Sequence, residues 1–377
     1  MTATSRESGQ KNVRAGDRAL EHFLAAGFER IEPHVLQPAA IFLDVSGEEI
    51  RGRLYLTADP RGEEYCLRPE YTIPVCRAYL ASPHVGRTAE YSYLGPVFRA
   101  QAGQAGEQTQ TGLESFGRRD AEAADAEIFA LAMEAAALSG ARLAARLGDV
   151  GLFDSMLASL ALPDVWRRRL KRGVAHGRSL AAILDGRGQS LLSQSGVLAA
   201  MESADHAGAK ALVEDLIAIA GIDAVGGRTA SEIADRFLEQ AALRSGDPID
   251  PEKRKALEAF LVVSGDPDAA AAKLRSLARE ARLDLDAALD AFERRNGFLA
   301  ARGVAIEETR FSAAFVHDFD YYTGFVFEAR DAADPEARSA VGGGRYDGLL
   351  RRLGASEDIP AVGAAVALDR LPPGGKA

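Results

Sequence analysis

Three textures alternate along the chain. From residue 1 to about 150, helical and strand periods are mixed. Between Asp17 and Ala26 the apolar residues Ala19, Leu20, Phe23 and Leu24 recur at helical spacing, and Gly27 follows as a natural helix stop. Short strand-like runs come next, around Tyr55, Leu67 and Leu94. The pattern then predicts a long amphipathic helix from about Ala121 to Gly140, with Asp120 as its N-cap. From about Phe153 to Arg302, Ala, Leu, Arg, Asp and Glu recur at helical periods with few aromatics. Breaks fall at Gly186 and Gly188, at Gly226 and Gly227, and in "SGDPIDPEK". After Gly303 the strand signals return in "FSAAFVHDF", "TGFVFEARD" and "PAVGAAVALDRL". The first and last regions share a texture that the middle lacks. That order predicts an α+β body made of residues 1–150 and 303–377, interrupted by a helical insertion over 151–302.

Charge and composition narrow the function. The 377 residues are 47% hydrophobic, enough for a substantial core, and the net charge is −10. An acidic chain is a poor nucleic-acid ligand, because such binding draws on phosphate neutralisation by Lys and Arg. The one basic run, Trp166 to Gly173, reads as a solvated helix face. Two cysteines, Cys66 and Cys76, are too few for a thiolate metal site or a disulfide framework, and read as buried thiols in a reducing compartment. The six histidines (His22, His34, His84, His176, His206, His317) show no metal-ligand spacing. The polar N-terminus does not read as a signal peptide, and no stretch approaches the roughly 18 to 20 apolar residues of a membrane span. A soluble cytoplasmic protein without a cofactor is expected. Phosphate-loop, zinc-protease and serine-hydrolase signatures are absent.

What remains is four polar clusters set in strand-like sequence. In "LRPEYTIP", Glu70 and Thr72 stand two apart, as same-side residues of a strand. In "GPVFRAQAGQAGEQTQTGLESFG", Gly103 and Gly106 suggest a hairpin, after which Gln110, Gly112 and Glu114 alternate onto one face. "HDFDYYTGFVFEARD" places Asp320, Tyr321 and Tyr322 before a strand. "VGGGRYDGLL" reads as a glycine turn leading toward a helix, with Tyr346 in it. Each cluster alone could be an ordinary half-exposed strand or a tight turn. Together they offer Glu70, Glu114 and Asp320 as acceptors, Thr72 and Gln110 as neutral partners, and Tyr321, Tyr322 and Tyr346 as flat walls. Such a set suits a small ligand with an ammonium group and several N–H donors, such as a free amino acid.

These clusters resemble the core of the histidyl-tRNA synthetases, class II aminoacyl-tRNA synthetases. "LRPE" with Thr72 resembles the strand that binds the amino group, and "YLGPVFR" the second class motif. "FDYYTGFVFE" and "GGGRYDGLL" resemble the two histidine-specific motifs, and "PAVGAAVALDRL" the third class motif. The likeness covers roughly the first 150 and the last 70 residues. It implies an α+β fold with an antiparallel sheet flanked by helices, the helical middle being the family's insertion. It implies that Glu70, Thr72 and Gln110 contact the α-ammonium of histidine and that Glu114 and Tyr322 contact its imidazole. Tyr321 and Tyr346 would line or close the pocket, and Arg99 and Arg370 would be vestiges of a nucleotide site.

The departures point away from catalysis. His317 stands where the synthetases carry an arginine. No Lys or Arg occurs between Arg99 and Arg118, and Glu107 lies in that loop. Adenylation gathers negative charge and needs fixed cations there. The sequence ends at "LDRLPPGGKA", where the synthetases continue into a domain that reads the anticodon. This combination resembles the regulatory-subunit family of ATP phosphoribosyltransferase, the first enzyme of histidine biosynthesis. That resemblance implies a chain with no catalytic residues, assembled with a short catalytic subunit as a hetero-octamer. It implies that the chain is required for activity and takes part in feedback inhibition by L-histidine. A self-dimer through the first motif region, Phe28 to Phe42, would accompany it. Two other readings stay open: a truncated synthetase-like enzyme that activates histidine for a non-tRNA acceptor, keeping Arg99, Asp369 and Arg370, and a scaffold with no ligand.

Overall fold

The computed structural model describes residues 3–46, 48–101, 106–184, 249–316 and 321–372. The chain divides into two compact units, one of residues 1–159 with 259–377 and one of residues 160–258. Sequence breaks at Gly186, Gly188, Gly226 and Gly227, and the hairpin glycine Gly103, lie outside the described residues.

The first unit is built on a nine-stranded sheet. Its strands are β1 (Glu29–Arg30), β5 (Ala89–Phe98), β6 (Glu107–Phe116), β7 (Leu143–Asp149), β8 (Ser264–Gly265), β9 (Arg310–Ser312), β10 (Phe325–Asp331), β11 (Val341–Arg345) and β12 (Ala361–Ala367). Their order is β1-β5-β6-β12-β11-β10-β7-β9-β8. From β5 to β7 every neighbouring pair is antiparallel, while the β1–β5 and β7–β9 pairs near the margins are parallel. A small antiparallel sheet of β2 (Leu36–Pro38), β4 (Glu64–Leu67) and β3 (Leu56–Ala58) accompanies it. This is the expected α+β architecture of an antiparallel sheet flanked by helices.

Helices cover one face of the large sheet. In chain order the described helices are α1 (Ala3–Ala25), α2 (Ala40–Ser46), α3 (Thr72–Leu80), α4 (Ala121–Ala137), α5 (Val150–Ser159), α6 (Asp164–Ala175), α7 (Leu180–Leu184), α8 (Pro251–Leu261), α9 (Pro267–Glu280), α10 (Asp286–Ala301) and α11 (Leu349–Arg352). Helix α4 is mostly apolar and mostly buried, with Glu134 among its exposed positions. Phe129 of α4 meets Phe327 of β10 edge-on at 5.0 Å. Helices α1 and α10 lie against α4, with His22 2.8 Å from Glu134 and Arg294 2.6 Å from Glu122. Alternation then settles the other face: Phe327 points to α4, so its neighbours Val326 and Glu328 point away.

Three local expectations are corrected. Thr72 does not share a strand with Glu70; it opens α3. Pro74 explains why, since in the first turn of a helix its missing N–H has no partner to lose. The Glu70 carboxylate then accepts the Ile73 N–H at 3.0 Å, capping that turn. Gly342 to Gly344 form no turn but the strand β11, in the middle of the sheet. A side chain on Gly344 would stand 2.4 Å from the Phe325 carbonyl oxygen and 2.9 Å from the Tyr322 ring, so only glycine fits. Asp120 does precede α4, but its carboxylate binds Arg118 and makes no cap hydrogen bond. As expected, Gly27 follows α1 at φ +100°. Both cysteines are buried and unpaired, and burial pushes the Cys66 thiol up to about 11.

In the second unit the basic run forms α6. Trp166 and Leu170 face inward, and Gly173 lets Ile183 of α7 approach closely.

Gly344→Ala is expected to destabilise the chain by about 1–3 kcal/mol through overpacking. Gly52→Ala, where a side chain would meet nothing within 4 Å, is the control and should change little. Urea unfolding of the two variants checks this; equal midpoints would refute the strand's steric requirement.

Candidate functional site

On the face of the sheet opposite α4, beside the start of α3, lies a cavity of about 240 Å³. Strand alternation builds its floor: Gly363, Ala365 and Ala367 of β12 pair with Glu114, Gly112 and Gln110 of β6. On the other side of β6, Tyr93 of β5 pairs with Gly112. Seven of the residues singled out in the sequence line this one cavity: Glu70, Thr72, Arg99, Gln110, Tyr321, Tyr322 and Arg370. Glu114 and Tyr346 do not line it. They are joined to it through Thr72.

Glu114 is fully buried. Thr72 Oγ1 donates to its Oε1 at 2.8 Å, and the Tyr346 hydroxyl donates to its Oε2. Gly363 makes room for the carboxylate: a side chain there would overlap Glu114 Oε2 at 1.5 Å. Burial pushes the carboxyl up to about 8, against the hydroxyl donations that favour its charge. Burial likewise raises Glu70, although the Ile73 N–H and the Arg99 guanidinium pull the other way. The two acids differ in surroundings. Glu70 has a backbone donor and a nearby cation, whereas the donors to Glu114 are hydroxyls.

The walls are aromatic. Tyr321 and Tyr322 stand 4.8 Å apart, and both meet Tyr346 edge-on, at 5.9 and 6.5 Å. Gln110 is 5% exposed, and its Oε1 accepts no hydrogen bond. An unpaired buried acceptor is costly, so a donor is expected to reach it. The two guanidinium groups of the lining are already engaged by the protein. Arg99 Nε donates to the Pro69 carbonyl at 2.7 Å; Arg370 donates to the Ser339 carbonyl at 3.2 Å and to Gln108 Oε1 at 2.9 Å. Burial lowers both.

Sequence reasoning missed several lining residues. Tyr71 and Tyr93 stack at 4.1 Å, and Arg68 lies over the Tyr71 ring while donating to the Pro96 and Pro33 carbonyls. Glu328 and Ser339 also line the cavity. The alternation of "FVFEARD" carried the signal for Glu328; nothing local marked Tyr71, whose ring reaches the cavity from the turn before α3. His317 and Asp320 lie outside the described residues. Among the described residues no group of His, Cys, Asp and Glu could hold a metal, and no helix is long and apolar enough to cross a membrane.

Comparison with known proteins gives a consistent picture. The family model described as histidyl-tRNA synthetase matches residues 6–183 and 191–371. The chain is similar to an ATP phosphoribosyltransferase regulatory subunit of Mesorhizobium japonicum, 42% identical over 354 residues, covering 93% of this chain and 94% of the relative. A protein of the same name from Brucella canis is 40% identical over 350 residues, covering 91% and 92%. Among solved structures, an ATP phosphoribosyltransferase regulatory subunit/histidyl-tRNA synthetase from Bacillus halodurans superposes with a TM-score of 0.68 at 21% identity, covering 96% of this chain and 78% of that one. The histidyl-tRNA synthetase from Nostoc sp. PCC 7120 gives 0.64 at 17% identity, covering 97% and 71%. At such identities the two structures speak for the fold alone.

The Glu114 environment predicts a pH dependence. A carboxyl whose folded pKa is raised from 4.5 to about 8 contributes its stability below the unfolded value and loses it as pH rises toward 8. Relative to Glu114→Gln, the wild type should therefore lose stability between about pH 5 and pH 8. Urea midpoints across that range read the difference; a constant offset would show that Glu114 does not titrate there.

Proposed function

This chain belongs to the ATP phosphoribosyltransferase regulatory subunits within the histidyl-tRNA synthetase family, and we propose that it serves a short catalytic subunit as a non-catalytic, histidine-sensing partner. The observation that carries the reading is the cavity's inventory. Its acceptors are Glu70, which takes the Ile73 N–H, and the unpartnered Gln110 Oε1, while its cations are tethered to neutral oxygens, Arg99 through Nε and Arg370 through both terminal nitrogens. That arrangement receives an ammonium and a ring N–H. It offers little to a pentavalent phosphorus that gathers charge during adenylation.

L-Histidine is seated as follows. Its α-ammonium meets Glu70, Thr72 and Gln110, the acceptors of the lining. Its imidazole meets Glu114 and Tyr322, with one ring N–H taking the place of one of the two hydroxyls that donate to Glu114. Tyr321 and Tyr346 wall the ring. A neutral buried carboxyl suits this exchange, because it takes up a donor without first shedding water. Occupancy then biases the assembly with the catalytic subunit toward an inhibited state; a coupling of about 1–3 kcal/mol would give 5- to 150-fold inhibition.

The assembly is a hetero-octamer, with this chain dimerising through residues 28–42 and working in the cytoplasm without cofactor or nucleic acid. Val35, Leu36, Tyr55 and Leu56, all exposed, give the small sheet beside that segment an apolar surface suited to a second copy. The split body of residues 1–150 and 303–377 is the part that carries the pocket, with 151–302 as its insertion.

Reconstitution tests the reading. A short catalytic subunit from the same organism should form phosphoribosyl-ATP only with this chain present, and histidine should reduce that rate. No stimulation would contradict the regulatory role, and histidine-dependent pyrophosphate exchange by the chain alone would favour the synthetase-like alternative. Gln110→Leu should raise the histidine concentration for half inhibition by about 5- to 100-fold, the loss of a buried charge-assisted hydrogen bond.

A further inference from the structure

Four buried charges outside the cavity are unused by the reading above. Arg345 and Asp125 are 6% and 2% exposed, and Arg295 and Asp149 are 4% and 8% exposed. Arg345 ends β11, next to Tyr346. Its Nε donates to Asp125 Oδ1 at 2.9 Å, its Nη1 to Asp347 Oδ1 at 2.9 Å and its Nη2 to the Ala121 carbonyl at 2.9 Å. Arg295 of α10 approaches Asp125 from the opposite side at 3.6 Å and donates to Asp149 at 2.5 Å. A guanidinium held on all three nitrogens cannot turn, and neither can the backbone that carries it.

That backbone holds the turn bearing the cavity tyrosines. The Arg345 carbonyl accepts the Thr323 N–H at 2.9 Å. The Asp347 N–H donates to Thr323 Oγ1 at 3.0 Å, and Asp347 Oδ1, already bound to Arg345, accepts the Ala361 N–H at 2.8 Å. Gly324 passes so close to the Arg345 side chain that an added methyl would stand 3.2 Å from Cδ. Tyr321 and Tyr322 open this turn and line the cavity, whereas Thr323, Arg345, Asp125 and Arg295 do not.

We propose that the Arg345–Asp125 pair, anchored from α10 by Arg295, is a positioning device that sets the place of the turn at residues 321–324 and thereby the affinity of the cavity for its ligand. A fold-stabilising ion pair would need no connection to that turn. Here the same residue that closes the buried network also supplies the carbonyl that fixes Thr323. The ligand part of the proposal rests on the histidine reading above; the mechanical part does not.

The test combines two readouts on the full-length chain. Asp125→Asn keeps the shape of the side chain and removes its charge. It should raise the dissociation constant for L-histidine about tenfold, within the range by which residues remote from a ligand modulate binding. Hydrogen exchange, read by mass spectrometry on peptides spanning residues 321–324, should accelerate about tenfold as well, with exchange in the small sheet of β2, β3 and β4 unchanged. Stimulation of the catalytic subunit without histidine should stay at the wild-type level. Unchanged exchange overturns the proposal, and so does faster exchange with unchanged histidine affinity. If wild-type chain binds no histidine, it is the pocket reading that fails, and exchange alone then decides whether the network holds the turn. Should Asp125→Asn not fold, Thr323→Val gives the same readouts from an exposed position by removing the oxygen that accepts from Asp347.

Discussion

The Glu114 carboxylate is the interaction on which the site depends. It sits at zero exposure in the middle of the large sheet and ties three elements together: its own strand β6, Thr72 at the start of α3, and Tyr346 just after β11. Burial and hydrogen bonding oppose each other there. Two hydroxyls favour the charged form, desolvation disfavours it, and desolvation wins. The neighbouring strand answers with Gly363, the residue that leaves room for the carboxylate. A carboxyl whose pKa burial raises, bonded by two hydroxyls beside a cavity that contains an unsatisfied amide oxygen, is the basis of the proposal that the site takes a ligand with N–H groups. It is poorly prepared for phosphate chemistry.

Much of this was legible in the sequence because strands have a period of two. Gln110, Gly112 and Glu114 alternate onto one face as the pattern predicts, and six residues picked from three of the four clusters, together with Arg370, meet around one cavity. The failures have physical causes. "LRPEYTIP" contains Pro74, which is as compatible with a helix's first turn as with a strand's margin, and only the Glu70 cap decides between them. "VGGGR" looks like a turn because glycine is common in turns, yet here glycine answers to close neighbours, the Phe325 carbonyl and the Tyr322 ring, which sequence spacing does not reveal. Asp120 takes the position of a cap but is drawn off by Arg118, a competition that no single-residue preference anticipates.

The charged network was invisible for a different reason. Asp125 lies inside "AEAADAEIFALAMEAAA", where it reads as one more polar position of an amphipathic helix. In the fold Asp125 lies on the buried side of that helix, so it must be paired, and its partners Arg345 and Arg295 come from 220 and 170 residues further on in the chain. Helices α9 and α10 show the same limit. Their periodicity is continuous with the helical stretch before them, yet they belong to the unit that contains the sheet.

Fold and family membership converge on a synthetase-like body, and the proposal is that its cavity holds an amino acid. The most direct test is the ring-nitrogen spectrum of ¹⁵N-labelled L-histidine titrated with the chain. A pocket in which Glu114 accepts from the imidazole predicts bound ring resonances displaced from those of free histidine, and their loss with Glu114→Gln. A free-histidine spectrum unchanged at saturating protein would show that the cavity does not read this ligand.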